Sequence, residues 1–124
     1  MKKLLILGAG TAGTIMTNHL RRTINLDEWK ITLVDQYPKH YYQPGFLFLP
    51  FGLYSERDVV KPKRQFIPDE IEYVEAEIDR IDAENNKVLL KDGLQLAYDI
   101  LIVATGVKTA PHQTEGMLDG DFRS

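Results

Sequence analysis

The chain of 124 residues contains no cysteine. That absence excludes structural disulfides, thiolate metal sites and a redox-active cysteine pair within these residues. Histidine is scarce, and His19, His40 and His112 lie without metal-ligand spacing, so no metal site is expected. Long apolar runs are missing: no stretch approaches the roughly 18 apolar residues of a membrane span. Met1-Lys2-Lys3 is similar to the start of an export signal, but only Leu4–Leu7 follow before Gly8, too few for its apolar region. The expected location is cytoplasmic, with peripheral attachment to the cytoplasmic membrane left to any further sequence. Excess positive charge is absent too. A net charge of −3 and a pI near 5.6 leave no electrostatic footprint for nucleic acid. The small basic cluster Lys61, Lys63 and Arg64 reads as a short solvated loop as readily as a binding element.

What is present reads as one α/β domain. Residues 3–7 form a short apolar run ended by glycine, which predicts a fully buried strand. A helix fits from Thr11 to about Ile24, with Ala12, Ile15, Met16, His19 and Leu20 near one face. Residues 29–35, "WKITLVD", are rich in β-branched side chains and predict a second strand. Strand, glycine turn, helix and strand together make a βαβ unit of a parallel sheet. From Gln36 to Val60 the chain is aromatic and broken by Pro38, Pro44 and Pro50, a composition that suits a functional loop. A short helix fits around Lys61–Phe66, followed by a parallel strand over 71–74. Three antiparallel strands fit near 76–82, 86–91 and 94–98, with turn signals at 84–86 and 92–93. "DILIVATG" (99–106) is apolar enough to lie buried in the sheet centre. The fold class expected is thus a Rossmann-like parallel sheet with a three-stranded antiparallel insert.

The chemistry is carried by the glycines. Gly8-Ala9-Gly10-Thr11-Ala12-Gly13 fits G-x-G-x-x-G between a strand and a helix. Gly8 allows the tight turn, Gly10 lets the backbone approach a pyrophosphate, and Gly13 lets helix and strand pack closely. The N–H groups of Thr11, Ala12 and Gly13 at the helix start then face the phosphates. Asp35 ends the second strand 22 residues past Gly13, where its carboxylate can accept from ribose hydroxyls; Gln36 follows it. The same charge would repel a 2′-phosphate, which argues against NADP. An unrelated glycine turn with a strand-end aspartate is the plainer alternative.

The antiparallel insert followed by Tyr98-Asp99 and Ala104-Thr105-Gly106 resembles the two-dinucleotide-domain flavoproteins, the FAD-dependent pyridine nucleotide-disulfide oxidoreductase superfamily. "HYYQPGFLFLPFG" (40–52) resembles the loop of its sulfide:quinone oxidoreductases beside the flavin. The resemblance implies FAD as cofactor. Gln43 and Pro44 would lie near the flavin, Ala76 and Glu77 would offer backbone groups to the adenine, and Ala104, Thr105 and Gly106 would lie on the flavin side. It implies that residues 1–124 form the N-terminal portion of a FAD-binding domain, without the second nucleotide domain and the C-terminal part. The full-length enzyme would pass electrons from sulfide to a quinone. Alternatives are a type II NADH:quinone oxidoreductase, or a non-catalytic nucleotide-binding or assembly module, with homodimerisation open in each case. No residue here stands out as a general acid or base.

Overall fold

In the computed structural model, residues 1–41, 49–53, 55, 57 and 60–106 are described. Strand β1 (Lys2–Leu7) leads through the glycine turn into helix α1 (Thr11–Thr23) and on to β2 (Trp29–Asp35). A hairpin of β3 (Lys39–Tyr41) and β4 (Val60–Pro62) follows, then a 3₁₀ turn at Lys63–Phe66 and β5 (Glu72–Glu75). Strands β6 (Ile78–Asp82), β7 (Lys87–Leu90) and β8 (Gln95–Ala97) form an antiparallel meander, and β9 (Ile100–Val103) returns to the parallel sheet.

The parallel sheet runs β5-β2-β1-β9. Its registers are continuous, with Leu4 opposite Ile31 and Ile100, and Val34 opposite Val74. Leu4–Leu7 of β1 form an unbroken apolar run because both faces of the strand are covered there. Leu4 and Ile6 pack with Ile31, Leu33, Ile67 and Ile71 on the side of α1, where Leu20 and Ile24 close over them. Leu5 and Leu7 pack with Val34, Val88 and Leu90 on the side of the meander. Burying each such leucine contributes about 1.5–3 kcal/mol. The result is three layers: helix, parallel sheet, meander.

Three expectations need correction. The helix turns a different face to the sheet. Gly13 and Thr17 are buried with Leu20 beside them, while Ile15 is 64% and Met16 38% exposed, and Ala12 and His19 also face outward. The glycine contact draws the helix in at Gly13, so close approach rather than apolar count sets its rotation. β9 is not central: among the described residues it is an edge of the sheet, with Ile100 and Val103 exposed. An apolar run by itself does not distinguish a central strand from an edge. Finally, the short helix expected around Lys61–Phe66 is present as a 3₁₀ helix over Lys63–Phe66, but Lys63 of the basic cluster is buried there rather than solvated. The β3–β4 pair lies in the segment read as irregular.

Candidate functional site

All four parallel strands end on the same side of the sheet, and the segments leaving β1, β2, β5 and β9 are laced together there. Gly8 N–H donates to the Val34 carbonyl at 2.7 Å, Ala104 N–H to Leu7 at 2.7 Å, and Ala76 N–H to Asp35 at 3.0 Å. Ligands of open α/β sheets bind at this edge. A cleft of about 240 Å³ opens there, lined by Gly8, Val34, Asp35, Gln36, Tyr37, Ala76, Glu77, Ile78 and Thr105. It is smaller than the roughly 300–1,000 Å³ pockets of drug-sized ligands. Its size suits one moiety of a dinucleotide.

The glycine turn is built by contact. Gly8 has φ +99°, and a Cβ there would run into the Ala104 carbonyl. A Cβ on Gly13 would strike the Gly8 carbonyl oxygen. Gly10 differs, because nothing lies within 4 Å of where its Cβ would be. Gly10 also caps α1, with no side chain capping it and no acidic residue in the first turn. The first helical bond runs from Thr14 N–H to the Gly10 carbonyl at 3.0 Å. The N–H groups of Thr11, Ala12 and Gly13 are therefore left without intrahelical partners. Open space beside unpaired donors at a helix N-terminus fits a diphosphate.

Asp35 is 8% exposed and held by three contacts from within the chain. Its Oδ2 accepts from Ala9 N–H at 2.5 Å; its Oδ1 accepts from Tyr37 N–H at 2.7 Å and from Lys63 Nζ at 2.8 Å. On the same side, the Tyr73 hydroxyl is buried with no hydrogen-bond partner among the described residues. Burial, reinforced by the negative charges of Asp35 and then Glu75, pushes its pKa up to about 12, against a smaller opposing effect of Arg64. The Arg64 guanidinium lies 5.5 Å from the Tyr73 ring centroid.

Of the residues singled out in the sequence, Gly8, Asp35, Gln36, Ala76, Glu77 and Thr105 converge on the cleft. Gly10, Thr11, Ala12 and Gly13 lie at the adjoining helix start. Ala104 backs Gly8, and Gly106 follows beyond the cleft lining. Ala76 N–H is already bonded to Asp35, and the Glu77 carbonyl accepts from Lys91 N–H at 2.9 Å. Gln43 and Pro44 lie outside the described residues. Val34, Tyr37 and Ile78 also line the cleft, and Lys63 pairs with Asp35; none of the four is singled out by the sequence as a site residue. Tyr37 carries a local signal, since the second residue after an aspartate commonly donates its N–H to that side chain. Lys63 carries none.

The model of the pyridine nucleotide-disulphide oxidoreductase family matches residues 2–124. The chain is 31% identical over 115 residues to the mitochondrial sulfide:quinone oxidoreductase of Dictyostelium discoideum, covering 93% of this chain and 25% of that protein. It is 34% identical over 123 residues to a type II NADH:quinone oxidoreductase of Staphylococcus aureus, covering 98% and 30%. The sulfide:quinone oxidoreductase structure from Aquifex aeolicus superposes with a TM-score of 0.75 at 28% identity, over 89% of this chain and 25% of that one. The chain thus spans 25–30% of the length of these curated relatives. It belongs to the pyridine nucleotide-disulphide oxidoreductase family, a family of FAD-dependent oxidoreductases.

Proposed function

We propose that this chain holds the ADP half of FAD at the cleft beside Gly8, within an enzyme that passes electrons from sulfide to a quinone. The observation that carries the reading is the meeting of Gly8, Asp35, Gln36, Ala76, Glu77 and Thr105 at one cleft next to an uncapped helix start. The Thr11, Ala12 and Gly13 N–H groups would meet the pyrophosphate, and the open space at Gly10 would admit it. Asp35 would accept from a ribose hydroxyl with its remaining acceptor capacity. The Ala76 carbonyl and the Glu77 N–H would face the adenine. FAD, when bound, supplies the two-electron chemistry, and the protein supplies binding and orientation.

Sulfide as donor is supported by the likeness of residues 40–52 to the sulfide:quinone oxidoreductases, and by the Dictyostelium and Aquifex relatives. A second reading, NADH as donor, is favoured by the 34% identity to the Staphylococcus enzyme over nearly the whole chain.

Titration of the purified chain with FAD, followed by quenching of flavin fluorescence and by competition with ADP, tests the binding reading. Saturable binding reversed by ADP is expected. Absence of binding by either ligand overturns it. For the donor, sulfide or NADH is added anaerobically to the FAD-loaded full-length enzyme. Bleaching of the flavin absorption by sulfide alone supports the first reading, and bleaching by NADH alone replaces it with the second.

A further inference from the structure

We infer that Lys63 is a positioning residue for the nucleotide, holding the Asp35 carboxylate so that it fixes the Gly8–Gly10 turn. This inference rests on the dinucleotide reading of the cleft. Lys63 is 7% exposed, and a lysine is almost never buried this far unless it is paired. Its Nζ lies 2.8 Å from Asp35 Oδ1, with both side chains 9% exposed. The same Nζ sits 5.7 Å from the centroid of the Tyr37 ring, and Lys63 N–H donates to the Pro38 carbonyl at 2.7 Å. The cation is therefore anchored by its backbone, by a ring face and by the carboxylate.

Burying an ion pair is weak evidence for stability, because desolvation offsets the attraction. What the pair does provide is direction. With Lys63 and Tyr37 N–H both on Oδ1, the carboxylate cannot rotate without breaking two bonds, and Oδ2 stays aimed at Ala9 N–H. Ala9 lies between the two glycines that would flank the pyrophosphate. A carboxylate has about four acceptor positions. Three are filled from within the chain, which leaves about one for a ribose hydroxyl. Lys63 also neutralises Asp35, easing the repulsion that a lone buried carboxylate would exert on a diphosphate.

The test uses the full chain carrying Lys63→Met, Lys63→Arg, Asp35→Asn, or Lys63→Met with Asp35→Asn. Two quantities are read: hydrogen-exchange protection of the Ala9 amide without ligand, and the Kd for ADP by calorimetry. Lys63→Met is expected to lower Ala9 protection and weaken ADP binding on the order of tenfold. Lys63→Arg restores most of both, and the double variant loses little more than Asp35→Asn alone. Wild-type protection at Ala9 in Lys63→Met, or losses that simply add in the double variant, overturn the inference. If Lys63→Met does not fold, Lys63→Gln, which removes the charge but keeps a polar end beside Asp35, replaces it. Ala9 protection must then fall below the wild-type value, and an unchanged value is fatal to the proposal. Failure of the wild-type chain to bind ADP instead defeats the dinucleotide reading, and Ala9 protection still decides the role of Lys63.

Discussion

Gly13 rests on the carbonyl oxygen of Gly8, with no room between them for a methyl group. Gly10, between them in sequence, faces open space. The two positions should therefore separate stability from binding. Gly13→Ala forces helix and turn apart and should cost about 1–3 kcal/mol, as overpacking does. Gly10→Val should cost only about 0.5–1 kcal/mol, through loss of a favoured N-cap residue, and abolish ADP and FAD binding by filling the pyrophosphate's space. Melting curves and calorimetry on the two variants check the contrast.

Asp35→Ala should fail on both counts. It strips Ala9 N–H and Tyr37 N–H of their acceptor and leaves the Lys63 ammonium buried without a partner. Breaking a buried pair from one side costs about 3–5 kcal/mol. Denaturant unfolding of Asp35→Ala and of Asp35→Ala with Lys63→Met should show the second change recovering part of the loss.

Tyr73 offers a pH test. Its hydroxyl is buried without a partner among the described residues, and its pKa is raised to about 12, above the ordinary value of 10.0. The folded state thus holds the proton where the unfolded chain has begun to lose it. The neutral phenol's contribution is complete below pH 10 and is lost as pH rises from about 10 to about 12. Tyr73→Phe should flatten that decline. At neutral pH it should be neutral or stabilising, since it removes an unsatisfied polar atom. Urea unfolding at pH 7 and across pH 9–12 measures both effects.

Asp99 joins the last strand to the first. Its Oδ2 accepts from Lys3 N–H at 2.6 Å while its own N–H donates to the Lys3 carbonyl at 2.8 Å. Asp99→Ala should lower stability by about 1 kcal/mol and raise amide exchange along β9 more than along β2. Equal exchange in both strands would contradict this pinning role.

The βαβ unit was legible because its signals are local. An apolar run, three glycines, a helix and a β-branched strand follow one another within 35 residues, and β2 spans the predicted range. The meander was legible from alternation and turn residues, and the parallel strand at β5 is displaced by one residue from expectation. The face of α1 was not, because apolar counting favoured Ile15 and Met16 while the helix turns on Gly13 and Thr17. Three-residue strands in a proline-rich segment carry too little periodicity to see. Within the site, the glycines and Asp35 announce themselves by spacing. Lys63 does not, because its partner lies 28 positions away across a hairpin and no local pattern marks it.

The order of the sheet has a consequence for synthesis. β1 is made first, yet its neighbour β9 is 96 residues distant, as the Lys3–Asp99 contact measures. At roughly 5–20 residues per second, one flank of β1 waits about 5–20 s on the ribosome with its backbone groups unpaired. A chaperone that shields apolar strands has its natural window there. Ribosome-bound chains arrested before residue 99 should be engaged by such a chaperone, and those arrested well after residue 124 has emerged should be released from it.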